Sequence, residues 1–441
     1  MGRQGVGWCT GVPDRRSGGH AEPTRRQPAG TAMADLIEPK SFDTGVLFGR
    51  ALLPEGPAMW SYSSLKEIET CPRRYALSRA DYPELWGQNG YPRVPVPAAI
   101  KGDVVHGALE AIVRALVRAG CSSTRSADAV AVLRELGGYT EVAKRVLAAQ
   151  LARLDGNPRL SSERREQLTR ALNDWLPEAR EQIQTYLTRM ELHPGADAPV
   201  KAATTPGGSA TRHAARRGDH PERELVATDL RLKGRVDLLS VDANGAWITD
   251  FKTGAEDPTH HDQLRLYALL WVTDTIANPD GLDVSALVAA YPTHEVEVPV
   301  PNASELSGLE REIIARIEAA EAVATSDVPT AVVGEHCGVC NVRGLCDRYW
   351  TTSAPNTAEV ADGDWYDLQG TVVREHGVKS WVLRETKSGH EVLVRTPTPS
   401  FALPIGLEVR VLGARRTVDP DDEDSLIAVL TGFSEVLRLA G

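Results

Sequence analysis

No stretch of this 441-residue chain reaches about 18 consecutive apolar residues, which excludes a membrane-spanning helix of ordinary length. The opening residues, MGRQGVGWCTGVPDRRSGG, lack the apolar core of a secretory signal, so a cytoplasmic protein is expected. Positive charge is not in excess: 49 Lys and Arg face 60 Asp and Glu, a net charge of −11. That excludes a basic coat for gripping nucleic acid, but not a local basic groove beside an acidic site. No G-K-[ST] triplet occurs, so no P-loop motor is built in. No solenoid-type repeat is visible. Cysteine is sparse, six in all, yet three of the six crowd into ten residues. In a reducing compartment such crowding points to metal or cluster ligation rather than disulfides.

The hydrophobic and charged fractions are those of a globular protein, and the length allows two or three domains. Residues 1–40 are rich in Gly, Arg, Pro and Thr without a period and are expected to be disordered. Ser64 and Glu67 have the spacing of a capping box, with Leu65, Ile68, Tyr75 and Ala76 on one helical face. Further helices are expected over about 102–119, 140–154 and 161–191. PGGSATRHAARRGDHPE reads as a loop. Strands are expected over about 224–232, 234–241 and 245–252, with Gly234, Asn244 and Gly245 as turn residues. DQLRLYALLWVTDTI reads as a helix, VSALVAAY and EVEVPV as strands, and 303–325 as a helix. The expected domains are 44–350, a linker over 351–362, and 363–441.

Asp250 and Lys252 lie two apart in WITDFKTG, at the end of the last of those three strands. Side chains two apart on a strand share a face, while Phe251 between them points to the other side. A hairpin with GRVDLL brings Asp237 beside Asp250. Two carboxylates and an ammonium on one face suit metal-assisted hydrolysis of a phosphodiester. Carboxylate oxygens hold Mg²⁺, the metal activates water, and lysine steadies charge on the phosphate. A lone D-x-K is more often the mark of a surface ion pair worth ~0–1 kcal/mol. Its weight comes from its company: His106 in KGDVVHGALE, and Gln263 and Tyr267 at i and i+4 of the next helix. Taken singly, His106 also fits a satisfied core histidine, and the Gln263–Tyr267 pair an ordinary polar helix edge.

GDVVH, GRVDLL, ITDFKTG and QLRLY stand in the order found in RecB-type nucleases of the PD-(D/E)XK superfamily, which residues 60–350 resemble. The resemblance implies a restriction-endonuclease-like mixed sheet flanked by helices, and Mg²⁺- or Mn²⁺-dependent DNA cleavage. It implies that His106, Asp237 and Asp250 hold the metal, with Phe251 lending its backbone carbonyl. It makes Lys252 the catalytic lysine, supported by Gln263 and Tyr267. Asp250 stands where many relatives have Glu.

CGVCNVRGLC spaces Cys337, Cys340 and Cys346 as C-x₂-C-x₅-C, and Cys71 in ETCPRRY is the candidate fourth ligand. Such a set holds a [4Fe–4S] cluster or a tetrahedral zinc, and spacing alone does not choose. The arrangement resembles that of iron–sulfur nucleases of the AddB type and of CRISPR-associated nucleases, which implies the cluster. Joining Cys71 to Cys337 closes a loop of roughly 265 residues. By the loop-entropy relation that is on the order of 5 kcal/mol, an upper guide for a staple across the domain.

From about residue 360 the pattern changes to five short strands, WYDLQGTVV, WVLRE, HEVLVR, LEVRVLGA and SLIAVLT, which predict a small OB-like barrel. Trp365, Tyr366, Trp381, Arg384 and Arg395 are candidates for stacking on bases and tracking a strand's backbone. Trp381 in the core, and repulsion of phosphate by DPDDEDS, are the competing reading, in which the barrel docks protein. The function expected is a DNA nuclease in repair, recombination or defence, acting on single-stranded DNA or ends, with any unwinding done by a separate helicase. The rival expectations are a non-catalytic DNA-binding or scaffold subunit and a zinc-stapled interaction protein.

Overall fold

The computed structural model describes residues 40–43, 55–82, 90–193, 195, 212–326, 329–398, 401–419 and 422–439. The segment expected to be disordered lies almost wholly outside them, as do residues 206–211 of the expected loop. The first described element is a strand, β1 (Lys40–Asp43), which belongs with residues 354–441 in one compact unit. Residues 44–353 form the other.

The larger unit opens with α1 (Tyr62–Thr70) and α2 (Pro72–Arg79). The capping box of α1 is Ser61 with Ser64, one turn earlier than the expected Ser64–Glu67 pair. Glu67 instead takes Arg79 at 2.7 Å, since Ser61 already satisfies the free amide of Ser64. Then come α3 (Pro97–Arg118), α4 (Ala127–Glu135), α5 (Gly138–Ala152), α6 (Ser162–Asp174) and α7 (Leu176–Arg189). The single helix expected over 161–191 is two, broken at Trp175. Pro177 lacks an amide hydrogen and fits only a first turn, so a new helix starts there.

The sheet follows: β2 (Gly218–Ala227), β3 (Leu232–Val241), β4 (Ala246–Phe251), helix α8 (Pro258–Thr273), β5 (Val284–Ala290) and β6 (Glu295–Val298). Its order is β2-β3-β4-β5-β6. Only the β4–β5 pair is parallel, joined by α8 as a crossover. Helix α9 (Ala303–Ala324) and the short α10 (Asp347–Thr352) end the unit.

Two cores sandwich this sheet. Leu239, Ile248 and Leu287 pack with α8 and α9, while Leu238, Phe251 and Ala290 pack with α3, α5 and α7. Trp271 of α8 is fully buried and donates its Nε1 hydrogen to the Leu282 carbonyl at 2.7 Å. Truncating such a side chain to alanine costs about 3–5 kcal/mol.

Gly234, expected in a turn, lies inside β3. A Cβ there would sit 2.7 Å from the Tyr267 ring and 2.8 Å from Leu270. The missing side chain is what lets α8 close onto the sheet.

In the smaller unit β7 (Trp365–Glu375), β8 (Ser380–Glu385), β9 (Glu391–Arg395), β10 (Glu408–Asp419) and β11 (Asp422–Val429) pair in the order β7-β8-β9-β11-β10. A further β10–β7 pairing closes them into a five-stranded barrel, as an OB-like fold requires. Gly413 has φ 68° where the β10–β7 register shifts, a bulge that bends the long β10 around the barrel. β12 (Glu435–Arg438) and β1 extend the sheet from β10. Tyr366 and Trp381, named as base-stacking candidates, are 5% and 4% exposed and belong to the barrel core. Trp365 is half-buried, and Arg384 and Arg395 are exposed but face Glu391 and Asp419.

Candidate active site

The β3–β4 hairpin is paired from Val241↔Ala246 to Leu238↔Thr249. Beyond that point the Phe251 amide donates to Asp237 Oδ2 at 2.6 Å. A side-chain acceptor has taken the place of a ladder carbonyl, which leaves Asp237 at the mouth of the hairpin and close to Asp250.

Asp250 is 3% exposed, and its Oδ2 touches the Lys252 ammonium. Its carboxyl is pushed up to about 6, first by burial and next by the charge of Asp237, against the pull of Lys252. Lys252 Nζ also donates to Gln263 Oε1 at 2.8 Å, and Gln263 Nε2 donates to Tyr267 Oη at 2.7 Å. Gln263 and Tyr267 are one turn apart on α8. Burial, followed by the charges of Asp250 and Asp237, raises the Tyr267 phenol, which therefore stays neutral. On the far side of the lysine, the Tyr186 hydroxyl of α7 donates to the Lys252 carbonyl at 2.7 Å.

His106 reaches the same place from α3. Its Nδ1 stands 3.4 Å from Asp237 Oδ2. Burial by itself lowers its pKa, but the hydrogen bond and charge of Asp237, with Asp250 and Glu222 behind, outweigh burial and raise it. The Phe251 ring lies edge-on to His106 and Tyr186, at 6.4 and 5.5 Å, so its side chain serves packing.

The hairpin, α3 and α8 thus gather His106, Asp237, Asp250, Lys252, Gln263 and Tyr267 at one end of the sheet. Glu222 joins them and was not anticipated. It lies in what reads as a loop but is part of β2, at φ 53°, a left-handed conformation that non-glycine residues seldom adopt. Burial, then the charges of Asp237 and Glu110, push its carboxyl up to about 7. Nothing in the PERE tetrapeptide distinguishes Glu222 from Glu224. Tyr186, likewise, has no local signal.

An imidazole adds a borderline nitrogen donor to two carboxylates, whose hard oxygens suit Mg²⁺ or Mn²⁺. Their mutual repulsion marks a site short of positive charge, and in this sense the residues fit a divalent cation. Among the described residues no group of three or more His, Cys, Asp or Glu converges tightly enough to hold a metal ion as it stands.

The cysteines gather elsewhere in the same unit. Cys71 is the N-cap of α2, its Sγ accepting from the Arg74 amide at 3.5 Å. Cys337 ends one short 3₁₀ turn and Cys346 follows another, and Cys340 lies buried between them. Burial raises the Cys340 thiol, and the sulfurs of Cys71 and Cys346 stand near enough to raise it further. The Arg73 amide donates to Thr330 O at 3.0 Å, tying α2 to the segment before the cysteine loop. Arg159 Nη1 donates to Asn341 Oδ1 at 2.9 Å, within that loop. All described cysteines are free thiols.

A family model described as the PD-(D/E)XK nuclease superfamily matches residues 59–347, well over half of the chain. No curated protein matches. Among solved structures, the p204 HINb domain aligns with 15% identity over 26% of this chain and 56% of that one, at a TM-score of 0.18. SSO0001 aligns with 19% identity over 29% and 59%, at a TM-score of 0.19. This chain therefore spans little more than half the length of either, and likenesses this slight carry no argument. Among the described residues no helix is long and apolar enough to cross a membrane.

Proposed function

Because the chain belongs to the PD-(D/E)XK nuclease superfamily, whose members are generally nucleases, we propose that it is a metal-dependent DNA nuclease acting on single-stranded or end-containing DNA. The observation that carries this reading is the chain of contacts Asp250–Lys252–Gln263–Tyr267 beside Asp237. A surface ion pair would not be buried, nor backed by an amide and a neutral phenol.

His106, Asp237 and Asp250 would hold Mg²⁺ or Mn²⁺, with the Phe251 carbonyl as a further ligand. When bound, the cation supplies Lewis acidity toward the phosphate and a water acidic enough to act as nucleophile. Asp250 and Gln263 hold the Lys252 ammonium at one point, where it steadies charge developing on the phosphate or orients the attacking water. Tyr267 fixes which way the Gln263 amide faces: its hydroxyl accepts from Nε2, so Oε1 is presented to the lysine.

Cys71, Cys337, Cys340 and Cys346 are read as the ligands of a [4Fe–4S] cluster, with zinc as the alternative occupant. The gathering of Cys71 and Cys346 around Cys340 supports a shared centre. Its role would be structural, stapling the two ends of the nuclease domain. The process served would be DNA repair, recombination or defence, with a separate helicase as partner where duplex must be opened.

The test is cleavage of end-labelled single-stranded DNA by anaerobically purified protein, with and without Mn²⁺, beside Lys252→Ala. Metal-dependent cleavage that falls at least about 10²-fold in the variant is expected, the scale of losing one transition-state donor. Brown, folded protein that leaves the DNA intact would favour the scaffold-subunit reading instead.

A further inference from the structure

A cleft of about 410 Å³ adjoins the active site. Arg114 and Arg118 of α3 line it together with Arg212 and with Arg223 of β2. Glu222, which faces Asp237, lines it too, so cleft and candidate active site share a wall.

Helix α3 continues one into the other. His106, Glu110, Arg114 and Arg118 succeed each other at four-residue intervals, each a neighbour of the next along a ridge that winds slowly round the helix. The row extends over 12 residues, about 18 Å at ~1.5 Å per residue. It begins at a proposed metal ligand and ends in the cleft.

The arginines are anchored but not satisfied. Arg114 Nη2 pairs with Glu110 at 2.8 Å, Arg212 pairs with Asp274, and Arg223 Nη2 donates to the His213 carbonyl. The Nε atoms of Arg114, Arg212 and Arg223 are nevertheless buried with no hydrogen-bond partner. Arg118 is exposed and makes no ion pair among the described residues. Three acids, Asp219, Glu222 and Glu224, line the cleft against the four arginines. Asp219 is already engaged, accepting from Ser240 Oγ and the His193 amide. Three arginines whose guanidinium groups keep an unmet donor, and a fourth without an ion pair, line a single cavity, a setting that suits an anion with several acceptor oxygens.

We propose that this cleft carries the phosphodiester backbone of the substrate strand next to the scissile phosphate, with the four arginines as its contacts. The proposal rests on the nuclease reading and deepens it. Guanidinium groups match phosphate oxygens in a fork geometry and read no base edges, so binding here is independent of sequence. A chain of net charge −11 can hold a polyanion only where arginines are gathered locally, as they are here.

The test uses the full chain with a fluorescent single-stranded oligonucleotide. Binding is measured by anisotropy across a salt series in the Lys252→Ala background, and kcat and KM are measured without that change. Arg118→Glu and Arg223→Gln are each expected to weaken binding about tenfold and to flatten the plot of log affinity against log salt by about 0.7, the share of one phosphate contact. KM rises while kcat holds, and Arg118→Lys restores most of the affinity. Arg134→Glu, on the exposed side of α4, serves as the control and leaves both unchanged. Arg118 is exposed, so its variants remain informative should Arg223→Gln fail to fold. Wild-type affinity and salt slope in variants that still cleave would overturn the cleft and leave the nuclease standing. Wild-type protein that neither binds nor cleaves DNA would overturn both.

Discussion

The Phe251 amide donates to the Asp237 carboxylate at 2.6 Å, at the point where the β3–β4 ladder stops. One bond thereby ties the first acid of the site to the strand that carries the second. It also leaves buried Asp250 beside half-buried Asp237 with one lysine against Asp250, so the two carboxylates repel each other unless positive charge is added.

The pH dependence of the metal-free protein follows from that. Asp250 has a folded pKa of about 6, above its ordinary 3.8, so the folded state holds this proton more tightly than the unfolded chain. That contribution is fully present below about pH 4 and is lost as pH rises through about 6. In EDTA, Asp250→Asn, which cannot ionise, is expected to gain thermal stability relative to wild type between pH 4 and 7. Mn²⁺ at pH 7 reverses the order by stabilising wild type alone, and cleavage is abolished in the variant. A stability gap that ignores pH in EDTA would falsify the assignment of the repulsion to Asp250.

Tyr267→Phe removes the acceptor that fixes the Gln263 amide. The amide is then free to turn, and Lys252 loses an oriented partner. The rate is expected to fall about tenfold with KM little changed, and stability by about 1 kcal/mol for the lost hydrogen bond. Equal kcat in the two proteins would show that Gln263 needs no such support.

Gly234→Ala places a methyl group 2.7 Å from the Tyr267 ring, inside a packed layer. Overpacking of this kind costs about 1–3 kcal/mol. Because the ring must shift, cleavage is expected to drop together with the midpoint of urea unfolding. A variant with wild-type midpoint and activity would show that α8 yields freely at this point.

Cys346→Ala removes one proposed cluster ligand. Iron content and thermal stability are expected to fall together, the latter by up to about 5 kcal/mol on the loop-entropy scale. Iron analysis and calorimetry on the same anaerobic preparation decide it. A colourless wild-type protein with one zinc per chain would replace the cluster with zinc and leave the staple in place. An unchanged melting temperature would remove the staple itself.

Much of this was legible in residue order alone, because the relevant periods are local. Asp250 and Lys252 share a face by strand alternation, and Gln263 and Tyr267 by helical pitch, wherever the elements come to rest. Five short strands with turns between them already imply a small barrel. Other features depended on which elements meet. Gly234 reads as a turn because glycine usually marks one; only the approach of α8 makes it a gap left for Tyr267. Trp381 and Tyr366 carry aromatic rings that suit bases and cores equally, and barrel closure put them in the core. Glu222 is one of two acids in an undistinguished tetrapeptide until β2 lies against β3. The arginine cleft joins α3 to a strand about 100 residues further on. Local geometry is set by neighbours in the chain, but burial and charge environment are set by neighbours in space, and those exist only once the chain has folded.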